Sequence, residues 1–406
     1  MQFQSNSTVQ IVQVEGSTDR YICSVDYVKS RKSYLIEKSV SEVIKFCSEP
    51  RTKNEIKCFS LQSGAIREDQ FENFFAEFLF GRGIVKDALA KDALILSSSL
   101  LKMKLRLLSP ELVNFLVKSL ITLFSVRVAI LLMFVFCVSL IHISIWAYNG
   151  EFSLQSVTLS WSDSIAIIAL IGAGLIFHEL GHAAAAYKYG CRKVEIGVGW
   201  YIYFIVFYAE LSEAWRLKPE KRLIIDCAGG YFQSVFGVVL WLAFLCTEQF
   251  VFMYSAALLA LYSLFNLNPF FRMDGYWIVS DLMKITNLRT TAFGIIKRLF
   301  STPLQLLQEM RVNHERQPRA VFFYAILMLL FYIWFSYYVY SSLLPTSLQV
   351  FYDVSNAALV NNFDLTELTI SLALLLWHGL IIYFVIYFST NMAKKIFSAV
   401  KRKYWI

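Results

Sequence analysis

The chain has 406 residues, of which 57% are hydrophobic and 17% charged, with a formal net charge of +8. A soluble domain carries about 25% charged residues, so an ordinary soluble globular protein is excluded. The apolar residues fall in blocks of about 20, the length that crosses a hydrocarbon core. The positive charge sits beside those blocks, where membrane orientation places it, and it comes with no nucleic-acid-binding motif. No nucleic-acid partner is expected.

The chain opens on "MQFQSNSTVQIVQVEG", which lacks the basic start and apolar core of a cleavable signal peptide. Residues 1–100 are therefore expected to stay in the compartment where they are made. Their mixed polarity predicts a small soluble domain. A strand-like "DRYICSVDY" is followed by "SVSEVIKFC", "TKNEIKCFSL" and "REDQFENFFAEFLFGRG", each with apolar residues at helical spacing. One strand, three short helices and a closing "GRGIV" predict a winged-helix-like α+β module. Residues 101–127, "LKMKLRLL" and then "ELVNFLVKSLITLF", read as a basic amphipathic lead-in on an anionic leaflet.

Residues 128–406 are predicted to form a transmembrane domain, which makes the chain a mainly α, polytopic helical membrane protein. Six spans are expected, at about 128–147, 164–187, 224–246, 252–268, 320–344 and 367–389. The fourth is short for a crossing and should end in irregular backbone, tolerated at membrane depth only beside protein or a water-filled cavity. Stretches 148–163, 247–251 and 345–366 contain no Lys or Arg. The 188–222 loop holds Lys188, Arg192, Lys193, Arg216, Lys218, Lys221 and Arg222. The positive-inside rule then puts both termini in the cytoplasm. Seven scattered cysteines without close pairs fit reduced thiols rather than a disulfide framework.

The second predicted span contains "LIFHELGHAAAAYKYG", Leu175–Gly190. A charge at the centre of a span costs roughly 2.5–3.5 kcal/mol on insertion scales, so it needs a partner or a function. His178 and His182 are four apart, on one helix face, and two imidazoles so placed can hold one zinc ion. Glu179 lies beside the first ligand but off the stripe, in reach of the attacking water without ligating the metal. H-E-x-x-H is the spacing of zinc-dependent peptidases, with the Glu as general base.

A catalytic zinc uses three protein ligands. His142 and His378 sit alone on other spans and His314 lies in a basic loop, so packing or solvation accounts for each. Acidic residues are few, and "FNLNPFFRMDGYW", Phe265–Trp277, stands out. Its Asn-Pro step breaks the helix and Gly275 permits a sharp turn, which would let Asp274 face inward at the depth of the histidines. Asp226 is the rival third ligand. Gly229 and Gly230 in "CAGGYFQ" are expected to allow close helix approach. The aromatic excess of the fifth and sixth spans is expected to face lipid.

H-E-x-x-H at His178–His182, with Asn266, Pro269, Asp274 and Gly275 spaced N-x-x-P-x-x-x-x-D-G, resembles the site-2 protease family of intramembrane zinc peptidases. The resemblance covers roughly 165–285. It implies one zinc per chain on His178, His182 and Asp274, with Glu179 as the base and Asn266 holding the substrate backbone; Asn268 is a possible assistant outside the family pattern. "NLNPFFRMDGYWIVSDL" and "YAELSEAWRL" are similar to a bacterial subgroup of peptide zinc metalloproteases. "YLIEKSVSEVIKFCSEPRTKNEI" resembles the N-terminal PqqD-like peptide-binding module of that subgroup.

These features point to an intramembrane metalloprotease of the bacterial cell membrane. Its substrate would be a small ribosomally made peptide or a single-span membrane protein, with a peptide exporter or modifying enzyme as possible partner. "CRKVEIGVGWYIYFIVFYAEL", Cys191–Leu211, reads as a hairpin that could hold an extended peptide by strand addition or simply lie at the membrane interface. Two other classes remain. A non-catalytic zinc-binding receptor or immunity protein would want a fourth protein ligand, and a transporter would want repeated interrupted helices; the sequence offers neither.

Overall fold

The computed structural model describes residues 2–359 apart from 6–8, 16, 28–29, 83, 88–100, 150–159, 202–203, 286 and 313–315, together with a few positions between 379 and 390. The chain is mostly helical and divides into two compact units, Met1–Asn268 and Pro269–Ile406.

The first unit begins with strands β1 (Gln2–Ser5), β2 (Val9–Gln13), β3 (Arg20–Tyr27) and β4 (Ser30–Glu37). Three short helical segments follow. Helix α1 is Lys38–Phe46, and α2 (Lys53–Gln62) comes directly after the two-residue strand β5 (Arg51–Thr52). Helix α3 (Phe71–Asn73) runs on as a π-helical stretch, Phe74–Phe80. Strand β6, Val85–Asp87, closes the module. The strand and the three helical segments thus fall where periodicity placed them, and β1, β2, β4, β5 and β6 are strands it did not anticipate. Two antiparallel sheets result, ordered β5-β1-β6 and β2-β3-β4.

Helix α2 starts where it does because of a capping box. Thr52 Oγ1 accepts from the Glu55 N–H at 3.3 Å, and Glu55 Oε2 accepts from the Thr52 N–H at 2.7 Å. The helices and sheets enclose a core of Cys23, Val43, Ile44, Cys47, Ile56 and Leu79. Burial pushes both thiols up to about 12, and none of the seven cysteines forms a disulfide.

The basic stretch Leu101–Leu108 forms a strand, β7, and the amphipathic helix begins after it, as α4 (Pro110–Leu120). A hairpin later in the chain supplies the strand's partner. Strands β8 (Ile196–Tyr201) and β9 (Phe204–Ala209) form the expected hairpin, and β7 pairs antiparallel with β8, for example Leu105 with Val198. Gly197 makes that pairing possible, since a Cβ there would lie 2.6 Å from the Leu105 carbonyl. Lys104 forms an ion pair with Glu210 at 2.9 Å, both largely buried, which supplies the compensation a charge needs on leaving water.

Four helices are long and apolar enough to cross a membrane among the described residues. Three belong to the first unit: α5 (Val126–Tyr148), α6 (Trp161–Lys188) and α7 (Pro219–Thr247). A shorter apolar helix, α8 (Phe250–Asn266), follows them. Its 17 residues span about 26 Å, less than the roughly 30 Å of a hydrocarbon core, so it agrees with the expectation of a short fourth element ending in irregular backbone. Helix α6 starts on a second capping box, Ser160 with Asp163. It packs tightly on α7 because Gly181 has no side chain: a Cβ there would meet the Ala228 carbonyl at 2.4 Å and Phe232 at 2.8 Å. Small residues at such crossings bring helix backbones together where water-driven burial is absent.

The second unit contains α9 (Asp274–Leu282), α10 (Leu288–Ser301), α11 (Pro303–Val312), α12 (Arg316–Tyr338) and α13 (Leu344–Leu359). The fourth long apolar segment, Arg319–Asp353, continues from α12 through a π-helical stretch into α13. The predicted sixth span, 367–389, lies outside the described residues apart from isolated positions, as does His378.

Gly181→Ala should lower the melting temperature of the detergent-solubilised protein, because overpacking a tight contact costs about 1–3 kcal/mol. Gly172→Ala on the same helix, where a Cβ would meet nothing within 4 Å, should leave it unchanged or raise it. Equal melting temperatures for the two variants would refute the α6–α7 contact.

Candidate metal centre

His178 and His182 lie one turn apart on α6, each 4% exposed. Each has its Nδ1 anchored. His182 Nδ1 is 2.7 Å from the Ile225 carbonyl oxygen, which can only accept, so that nitrogen carries the proton. His178 Nδ1 is 2.8 Å from Gln233 Oε1. Gln233 Nε2 in turn donates to the Leu259 carbonyl at 2.8 Å, which turns the amide oxygen toward the imidazole. Both rings, when neutral, therefore present Nε2 lone pairs to the same point, and those two atoms are 3.1 Å apart.

Two lone pairs at that separation repel unless a cation or a proton lies between them. Two nitrogens bound tetrahedrally at 2.0–2.1 Å to one zinc would be about 3.3 Å apart, so the pair fits such an ion. The third group comes from α9. His178, His182 and Asp274 each offer one ligand atom, all within 4.8 Å of one another, with the histidines buried and Asp274 partly buried. These residues form a group able to hold a metal ion. Asp226, the rival third ligand, is not in it.

Space for the group depends on Gly229 of α7. A Cβ there would lie 2.3 Å from His182 Nε2 and 2.6 Å from His178 Nε2. The expectation for the glycine pair is corrected in one respect, since a Cβ at Gly230 would meet nothing within 4 Å; only Gly229 faces the imidazoles. Glu179 lies beside His178 on α6 and is partly exposed. Asn266, the last residue of α8, is 8% exposed and its Nδ2 comes within 3.3 Å of His178 Nε2. Asn268 lies two residues on, in the turn after α8, with its backbone N–H donating to the Phe265 carbonyl at 3.0 Å.

Asp274 owes its place to the segment before it. Within the second unit, the Tyr324 and Tyr332 hydroxyls of α12 donate to the Pro269 and Phe270 carbonyls at 2.8 and 2.9 Å. The Phe270 ring stacks on Phe331 with centroids 4.7 Å apart. The aromatic excess of the fifth span is thus only partly lipid-facing. Phe323 and Trp334 are exposed, whereas Tyr324 and Tyr332 are buried and hold the turn. His142 behaves as expected of a packing residue, accepting from Trp241 Nε1 at 3.2 Å. His314 lies outside the described residues.

Gln233, Tyr324 and Tyr332 went unassigned at the sequence level. A signal for Gln233 existed, because a Gln four residues past Gly229 puts a buried amide on the same face of α7. The tyrosines had none, since their partners are backbone carbonyls more than 50 residues away.

Comparison of the chain with protein-family models, curated proteins and solved structures finds no match.

Gly229→Ala should abolish metal retention on purification, read as metal per chain by mass spectrometry, while Gly230→Ala should retain it. Gln233→Leu keeps the bulk but leaves the His178 N–H without its acceptor. Outer-shell changes of this kind cost about 10–100-fold in metal affinity, and chelator competition would measure it. Unchanged affinity would show that Gln233 does not orient the ligand.

Proposed function

We propose that this chain is an intramembrane zinc metalloprotease of the site-2 type, hydrolysing a peptide bond near the cytoplasmic face of a bacterial cell membrane. The observation that carries the reading is the convergence of two imidazoles and a carboxylate from separate helices, with the glutamate of the same H-E-x-x-H beside them. The donor set, two nitrogens and one carboxylate oxygen, matches catalytic rather than structural zinc, which is closed by four protein ligands. Zinc bound there would polarise a scissile carbonyl and acidify its water toward neutrality.

The protein's own residues supply the rest. Glu179 takes the proton from the attacking water and returns it to the leaving amine, a role worth about 10²–10⁴-fold. Asn266, at the end of α8 and within reach of His178, donates to the substrate backbone; Asn268 assists from the next turn. A helical substrate has no free backbone groups until it unwinds. Strand β9 has β8 on one side, and among the described residues no strand pairs with its other edge, so an extended peptide can add there.

Loop charge supports cytoplasmic termini and thereby a site near the inner face. The N-terminal helices and sheets support a winged-helix-like, PqqD-like module that presents a small ribosomal peptide, with a modifying enzyme or exporter acting in the same pathway. A single-span membrane protein is the other substrate class.

Purified wild type should contain about one zinc per chain and cleave members of a reconstituted library of apolar peptides, read by mass spectrometry. Glu179→Gln should keep the metal and lose cleavage by about 10²–10⁴-fold. Cleavage by the Gln variant at the wild-type rate would remove Glu179 from the mechanism. A zinc-loaded wild type that cuts nothing would favour the receptor or immunity reading instead.

A further inference from the structure

Helices α5 and α7, with the turn before α5, border an open groove of about 430 Å³ lined by Phe124, Ala129, Ile130, Leu223, Cys227 and Tyr231, among others. Its lining is apolar. The one hydroxyl among these six, on Tyr231, already donates to the Leu123 carbonyl at 2.8 Å, so the occupant has to be apolar as well. Ile130 and Ile224, which belong to the lining, are also 66% and 43% exposed. The groove therefore opens sideways, on the faces that two membrane-type helices turn outward. Two cationic residues adjoin it, one in space and one in sequence. Arg127 follows Val126 of the lining and is exposed. The Lys188 ammonium, also exposed, lies 5.5 Å from the Phe124 ring centroid.

An apolar slot on the outward faces of membrane-type helices, with the Lys188 ammonium beside Phe124 and Arg127 next to Val126, matches one ligand chemistry. We infer that this groove holds an acyl chain of an anionic phospholipid, whose phosphate is drawn to Arg127 and Lys188. A zwitterionic lipid would fill the slot equally well but gain less from the two cations, since basic residues near a membrane favour anionic lipid by about fivefold each. The site is distinct from the metal group. Residues 223, 224, 227, 228 and 231 of α7 line the slot, whereas Ile225, Gly229 and Gln233 face the imidazoles. The occupant thus lies one helix away from the histidines.

The test uses the full-length protein in detergent with an equimolar mixture of phosphatidylglycerol and phosphatidylcholine, and counts retained lipid by native mass spectrometry. Wild type should retain phosphatidylglycerol in preference. Ala129→Trp, which fills the slot, should retain neither lipid, and Arg127→Gln with Lys188→Gln should keep lipid but lose the preference. If Ala129→Trp does not fold, Cys227 serves as the probe. It is exposed and lines the groove, and its alkylation should be slowed by phosphatidylglycerol more than by phosphatidylcholine. Equal retention of the two lipids by wild type would overturn the inference. So would undiminished retention in the filled variant, lipid-independent alkylation of Cys227, or displacement of the lipid by an apolar peptide. None of these readouts depends on proteolysis or on bound metal.

Discussion

Two neutral imidazoles whose Nε2 atoms lie 3.1 Å apart, each with its other nitrogen fixed by a buried acceptor, form an arrangement that repels itself in an apolar helix pair. Burying polar groups without compensation is costly, and Asn266 Nδ2, 3.3 Å from His178 Nε2, supplies part of that compensation. A cation relieves the repulsion. The features around the pair are arranged to keep the point between them accessible: Gly229 leaves it open, Gln233 holds one ring, and the Ile225 carbonyl holds the other. Asp274 completes a group able to hold a metal ion.

The cost of this arrangement is distributed through the helices. Helix α7 carries Ile225, Gly229 and Gln233 along one face, so its rotation and depth relative to α6 set both imidazoles at once. Gly181 and the alanines that follow, Ala183–Ala186, let α6 approach closely enough for those contacts; each is at most 1% exposed among the alanines. In the second unit, two tyrosine hydroxyls fasten the carbonyls of Pro269 and Phe270. Backbone carbonyls in a non-helical turn packed against a helix need such donors, and α9 begins four residues after Phe270.

The sheet of β7, β8 and β9 shows how a local reading can miss a strand. "LKMKLRLL" alternates basic and apolar residues, a pattern that suits a strand with one polar face as well as a segment lying on a membrane. The choice was made by a hairpin roughly 90 residues later, whose Gly197 leaves room for the Leu105 carbonyl. A similar ambiguity held for the aromatic run of α12. Spacing alone does not separate a tyrosine facing lipid from one whose hydroxyl meets a carbonyl on another segment.

By itself the sequence determined the apolar blocks that became α5 to α8 and α12, the three short N-terminal helical segments, the pairing of His178 with His182, and the preference for Asp274 over Asp226. Each is written in spacing, composition or helix-breaking residues within a few turns of chain, where periodicity and backbone sterics act directly. Tertiary structure alone decided that Gly229 rather than Gly230 makes room for the rings, that Gln233 and the Ile225 carbonyl set their tautomers, that β7 joins the hairpin, and that Tyr324 and Tyr332 anchor the turn before Asp274. Those outcomes depend on which face of one helix meets another and on which carbonyl lies within about 3 Å of a donor. Such distances are set by the packing of segments far apart in the chain, and no local pattern encodes them.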